Sequence, residues 1–358
     1  MTTHPLSTIL GLAAAFAFSF ALYEMSVPLA WLLGPLVMSG ALSLSGLQIK
    51  PPALLRRIGQ LTIGATVGLN ITSTVLLHLL GWMPLMLLSA VFSVLASAVI
   101  AVLLGMWALI DTKSAFFASL PGGLAEMANV GAAVGADPEP IAVVQTVRVG
   151  LLVLAVPPLL IHFGISRDTD MLLLAPISLW WLPVLVVGGG VFAYLLGLLR
   201  LSNPWMVGAT IWAAALTAMG SLSGSMPQLI FLAAQFFIGF AVGSQFRPYM
   251  IRRLPRVTFF GMITVGLLGL VMIGFSFLVA TMSSIDVTTA ILATSPGGMS
   301  EMAATAQALH LAVSTVVAFQ IVRALTVNSF AVHVWTGLSR IGFFTRLEKL
   351  FGKSVGST

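Results

Sequence analysis

The sequence predicts an all-α polytopic membrane protein built from two inverted repeats, with about ten transmembrane helices plus two broken or re-entrant Pro-Gly-Gly helices. Three observations carry this expectation. Hydrophobic residues make up 59% of the 358 and charged residues 7%, with a strongly positive mean hydropathy, a balance outside that of water-soluble domains. The chain repeats itself at an offset of 175 residues. The basic runs between apolar segments fall on opposite sides of the equivalent segment in the two halves.

The offset aligns Asp111 with Asp286, Pro121-Gly122-Gly123 with Pro296-Gly297-Gly298, Glu126-Met127-Ala128 with Glu301-Met302-Ala303, and Gln145 and Arg148 with Gln320 and Arg323. From Asp111 to Arg148, 13 of 38 positions are identical without a gap. Upstream, Gln60-x3-Gly64-x3-Gly68 matches Gln235-x3-Gly239-x3-Gly243, and Trp31-x2-Gly34 matches Trp205-x2-Gly208 at an offset of 174. This is a duplication. It sets residues 1–174 as membrane repeat 1, 175–340 as membrane repeat 2 and 341–358 as a basic cytoplasmic tail.

Each repeat carries six apolar segments, near 6–23, 28–46, 58–80, 83–108, 113–135 and 140–164 in the first and near 177–199, 204–222, 228–246, 257–282, 287–309 and 312–337 in the second. The first, from about Leu6 to Tyr23, is expected to be a retained helix and not a signal peptide. Its basic flank is weak, another apolar run follows at once, and an equivalent run opens the second repeat. Most segments cross roughly 30 Å of hydrocarbon at about 1.5 Å per residue. The fifth of each set does not, because its break leaves two pieces of about 15–18 Å that end at the midplane.

Charge decides how the broken segment sits. The basic run Lys50 to Arg57 precedes the third segment of repeat 1, and Arg247 to Arg256 follows the third segment of repeat 2. Both are cytoplasmic only if one intervening segment fails to cross. A re-entrant Pro-Gly-Gly segment satisfies this and places Arg200 and both termini in the cytoplasm.

Several groups inside the apolar segments carry chemistry. A Pro-Gly-Gly tip leaves backbone N–H and C=O groups that hydrocarbon does not satisfy, so the tip is buried in protein or lines a wet cavity. The half-helix that follows points free N–H groups at the midplane, which suits an anion; the alternative is a packing kink. Pro121, Gly122, Gly123, Pro296, Gly297 and Gly298 are therefore substrate-binding candidates. Glu126 and Glu301 either cap the half-helix or take a coupling cation. Arg148 and Arg323 share a helix face with Gln145 and Gln320. They suit a solute carboxylate or a glutamate of the chain.

Other features have structural readings. The paired glycines fit close helix packing, Asp111 and Asp286 fit helix N-caps, and Trp82, Trp180, Trp181 and Trp205 fit interfacial anchors. Asn70, Asn203, Asn328, Gln60 and Gln235 are candidates for a polar path. Cysteine is absent and the five histidines lack a metal-ligand spacing, so no metal, no cofactor and no enzyme activity are expected. The net charge of +6 follows from basic loops, and no stretch between apolar segments is long enough for a DNA-binding module.

With its doubled PGG-x2-EMA and Q-x2-R motifs, the chain resembles the AbrB-duplication family of bacterial membrane proteins over nearly its whole length. Members carry labels such as AbrB family transcriptional regulator, regulator of gene expression, or ammonia monooxygenase. More distantly it looks like the superfamily of cation:proton antiporters and anion transporters, which includes bile-acid, citrate and glutamate symporters. Its PGG-x2-E motif differs from the Gly-Gly-Asn type of the citrate transporters, which leaves the substrate open.

The resemblance implies the bacterial plasma (inner) membrane and, by analogy with the wider superfamily, coupling to Na+ or H+. The function expected is a secondary active transporter or exporter of a small organic anion or metabolite, working by alternating access around crossed half-helices. The partners expected are a small-molecule solute, Na+ or H+, and the lipid bilayer, with no nucleic acid and with homo-oligomerisation left open. The alternative is an integral membrane protein that regulates gene expression indirectly.

Overall fold

The computed structural model describes residues 5–47, 49–162, 175–199 and 201–351. Arg200, which the charge pattern assigns to the basic face, and residues 352–358 lie outside the described residues. Among the described residues there are seventeen helices and no strand beyond one isolated bridge, Pro176 to Ser225.

In the first repeat the helices are α1 Pro5–Glu24, α2 Ala30–Leu44, α3 Ala53–Leu69, α4 Ser73–Gly81, α5 Met83–Ala108, α6 Thr112–Ser119, α7 Leu124–Ala133 and α8 Pro138–His162. Their counterparts are α9 Trp181–Leu198, α10 Pro204–Ala218, α11 Gln228–Gly243, α12 Pro248–Arg252, α13 Pro255–Met282, α14 Val287–Thr294, α15 Met299–Ala308 and α16 Val313–Arg340, followed by α17 Phe343–Leu350. From α3 onward most counterparts begin 175 residues apart. Local chemistry sets several starts: Asp111 accepts from Ser114 N–H at 2.8 Å, and Asp286 accepts from Thr288 and Thr289 N–H at 3.0 Å, the N-caps read from the sequence.

Six helices are long and apolar enough to cross a membrane: α1, α5, α8, α9, α13 and α16. The third segment departs from the expected single helix. It breaks after Asn70, and α3 and α4 meet at 94°, because Thr72 starts a new helix by accepting from Val75 N–H. The second repeat breaks at the same place, between α11 and α12.

The helices sort into two bundles, each drawing on both repeats. One contains α1, α2, α3, α9, α10 and α11. Its contacts are made by glycine: a Cβ at Gly64 of α3 would lie 2.3 Å from the Met206 carbonyl oxygen of α10, and one at Gly239 of α11 would lie 2.2 Å from the Leu32 carbonyl oxygen of α2. Small residues bring the backbones together where lipid offers no hydrophobic drive. The second bundle contains α5 to α8 and α13 to α16, with Phe92 of α5 stacked on Phe275 of α13 at 4.1 Å.

Directions establish the inversion. The start of α3 (Ala53, Arg56) and the end of α11 with Gln245 and Arg247 line one cavity. The end of α3 (Thr66) with Asn70, and the start of α11 (Gln228, Phe231), line a second. Equivalent helices thus run oppositely between a basic face and an opposite face. On the basic side Arg256 Nε donates to the Trp107 carbonyl at 2.7 Å, joining the start of α13 to the end of α5.

The Pro-Gly-Gly segment of repeat 1 is a re-entrant hairpin. Lys113 Nζ, at the start of α6, donates to the Val134 carbonyl at the end of α7 at 2.9 Å, and Asp137 N–H donates to Ser114 Oγ at 2.7 Å. Both ends therefore lie on one face. The expected tail begins with a helix: α17 docks through Phe344 on Phe116 and Trp335, and its Glu348 accepts from Thr112 Oγ1 at 2.8 Å.

Because the chain has no cysteine, single cysteines at the exposed Asp137 and Ala312 test this arrangement. A membrane-impermeant thiol reagent should reach them from opposite sides of the membrane; labelling from one side would contradict the inversion.

Candidate functional site

Breaking a helix at Pro121 leaves the last carbonyls of α6 without intrahelical donors. The amide and guanidinium one turn apart on α8 supply those donors. Gln145 Nε2 donates to the carbonyls of Phe117, Ala118 and Leu120 at 3.1, 3.3 and 2.9 Å. Arg148 Nη1 donates to Leu120 and Nη2 to Gly122, at 2.7 and 2.6 Å. The second repeat does the same: Gln320 Nε2 reaches the Leu292 and Ser295 carbonyls at 3.1 and 3.0 Å, and Arg323 reaches those of Ser295 and Gly297 at 2.5 and 3.2 Å. Arg323 also donates to Gln320 Oε1. The Q-x2-R motif is thus the donor set for the tip; both guanidinium groups hydrogen-bond to carbonyls and not to Glu126 or Glu301.

The rest of the motif follows from the tip. A Cβ on Gly123 would stand 2.0 Å from Glu126 Oε2, and one on Gly298 would stand 2.0 Å from Glu301 Oε2. Each glutamate, in the first turn of its half-helix, folds back over the capping glycine, the capping-box position for a third-residue carboxylate. A Cβ on Gly122 or Gly297 would likewise meet the side chain of Met127 or Met302, at 2.6 and 2.7 Å. PGG-x2-EM is therefore one interlocked unit.

Both tips line one cavity of about 610 Å³ between the two bundles, open toward the basic face. Of the sequence candidates, Pro121, Gly122, Gly123, Glu126, Arg148, Gly297, Gly298, Glu301, Gln320 and Arg323 line it, whereas Gln145 and Pro296 sit behind it. The first N–H groups of α7 and α15 lack intrahelical acceptors there, since hydrogen bonding in these helices starts from Met127 and Met302 N–H. Arg148 and Arg323 are 3% and 5% exposed, and their Nε atoms are buried without a partner.

Sequence reasoning missed the wall that faces the tips. Arg56 and Arg57 are topological charges in the sequence, but they line the cavity. Trp205 is not a lipid anchor: it lines the cavity with the Arg57 guanidinium 4.8 Å from its ring centroid. Gln60 Nε2 donates to Asn203 Oδ1 at 3.2 Å, and Ser202 Oγ donates to Glu126 Oε1 at 3.1 Å. Gln60 and Asn203 were readable as candidates for a polar path, whereas nothing in the sequence singled out Ser202.

A family profile described as transition state regulatory protein AbrB matches residues 2–111 and 31–338. The chain belongs to the AbrB family. The overlapping matches fit a duplicated chain. A Bacillus subtilis (strain 168) protein named "Uncharacterized protein YhjN" is 26% identical over 348 residues, covering 88% of this chain and 89% of that one. An Escherichia coli (strain K12) protein named "Putative regulator AbrB" is 25% identical over 318 residues, covering 86% and 90%. No solved structure matches significantly.

The fold-back of Glu126 on Gly123 has a measurable signature. Gly123→Ala should collide with the carboxylate and force it to move, costing about 1–3 kcal/mol. In the Gly123→Ala/Glu126→Ala double variant the two losses should not add. Thermal unfolding of the four proteins measures this coupling, and full additivity would place the carboxylate elsewhere.

Proposed function

We propose that this member of the AbrB family is a secondary active transporter or exporter of a small organic anion or similar metabolite, coupled to Na+ or H+. One observation carries the reading: a single cavity open to one face touches two half-helix N-termini contributed by inverted repeats. Fixed N–H groups with a partial positive charge suit an anion held at the midplane. In this reading the tips bind the solute. Gln145, Arg148, Gln320 and Arg323 hold the tips in shape, and the two arginines add permanent positive charge beside the site. Glu126 and Glu301 take the coupling cation, since an intramembrane carboxylate is favourable only when it is protonated, paired or hydrated. The protein then sits in a bacterial plasma membrane with its basic face, and both termini, in the cytoplasm.

A second reading, a membrane regulator acting through a partner or an altered metabolite pool, is favoured by the regulatory names of the family and of the Escherichia coli relative. The experiment that separates the two is a thermal-stability screen of the purified protein against organic acids, amines and amino acids, with and without Na+ and at two pH values. An organic anion should stabilise the wild type, and Glu126→Gln or Glu301→Gln should change the pH or Na+ dependence of that shift. No shift across a broad anion set, in protein shown to be folded, would reject the anion-transport reading.

A further inference from the structure

The opposite face carries a second cavity of about 970 Å³ that does not reach the tips. Its wall is the repeat-related image of the first. Ala53, Arg56, Arg57 and Gln60 of the first cavity correspond, 175 residues on, to Gln228, Phe231, Leu232 and Gln235 of the second. Trp205 corresponds to Trp31, and Gln245 to Asn70. Two unrelated surface clefts would have no reason to share equivalent walls.

The hairpins differ where the walls agree. In repeat 1, Ala125 is exposed and Glu126 half-buried; at the same positions in repeat 2, Ser300 and Glu301 are 5% and 6% exposed. The reason is packing: α15 lies against both α3 and α11 and is buried from Met299 through Ala306. We propose that the second cavity is the closed opposite mouth of the same solute path, with α15 as the plug between it and the tips. This rests on the transport reading.

A contact that the repeat cannot copy holds the present state. Ser202 donates to Glu126 across the two bundles, and the equivalent position before α2 is Pro28, which has no hydroxyl. Both loops share a left-handed residue next in sequence, Asn203 at φ 51° and Leu29 at φ 58°, so the backbones correspond and the difference is chemical. Glu126 therefore has a cross-bundle partner when its hairpin faces the open cavity. Glu301, on opening to the opposite side, would face a proline, keep only its neighbour Ser300 Oγ, which donates to it at 3.2 Å within the same half-helix, and otherwise depend on water or a bound cation. The Ser202–Glu126 contact is a latch that biases the protein toward the basic-face-open state.

The cysteine-free chain makes this directly measurable in membranes, with a membrane-impermeant thiol reagent added from either side. Ala53→Cys and Gln228→Cys, equivalent exposed positions in the two mouths, report sidedness. Ala125→Cys should react readily from the basic face; Ser300→Cys, which lines the same cavity but is 5% exposed, should react slowly from that face and, through the opposite-open state, slowly from the opposite face as well. Adding Ser202→Ala should raise the opposite-face rate at Ser300→Cys, and lower the basic-face rate at Ala125→Cys, by roughly five-fold, the effect of about one net hydrogen bond.

Ser300→Cys that never reacts from the opposite face, while Gln228→Cys does, would overturn the shared path. Unchanged rates with Ser202→Ala would overturn the latch. Opposite-face labelling that responds to Ser202→Ala, in a protein that no anion stabilises, would keep the gate and reject the anion-transport reading instead.

Discussion

The centre of this molecule depends on one constraint: the carbonyls freed at two helix breaks, inside an apolar protein, need donors. A carbonyl buried without a donor is costly. A glutamine and an arginine one turn apart on the next long helix supply a fan of donors at the reach and angle of a helix end. That pairing also explains how two permanently charged arginines come to be 3% and 5% exposed, since hydrogen bonds from a charged donor offset much of its desolvation. Once the carbonyls are held, the tip glycines have room only for the returning glutamate and methionine. The half-helix N-terminus is then left free to face a cavity.

A second constraint shapes the surrounding frame. In lipid, helices gain little from hiding apolar side chains, so close backbone approach has to come from small residues. Gly64 and Gly68 seat α3 on α10, and Gly239 and Gly243 seat α11 on α2. Each contact joins one repeat to the other. Neither repeat forms its own bundle, and the cavity lies where the glycine-packed frame meets the bundle that carries the tips.

The two hairpins have nearly the same motif in different surroundings. Their internal geometry is alike, down to the carboxylate over the glycine, because it is set by neighbours within five residues and by the Q-x2-R donors. Their exposure is unlike, because it is set by α3 and α11, which touch one half-helix more closely than the other. The inverted pairing is thus broken at the level of packing and not at the level of the motif.

Membrane class, duplication and the opposed basic runs were legible in the sequence, because each is a property of composition or of fixed spacing. The N-caps at Asp111 and Asp286 were legible too, since capping is decided within three residues. The break after Asn70 was not read: the polar cluster Asn70 and Thr72-Ser73-Thr74 marks it, but it is short enough to be absorbed into one apolar segment, 58–80. The place of Arg57, Ser202 and Trp205 at the cavity was not readable, since their partners lie more than seventy residues away in sequence. The sequence by itself determined which groups are costly inside a membrane, because burying a charge or opening a helix has the same cost wherever it occurs. Which carbonyls the arginines satisfy, which loop meets Glu126 and which half-helix is covered were decided only by the tertiary structure, because each depends on helices brought together from distant parts of the chain.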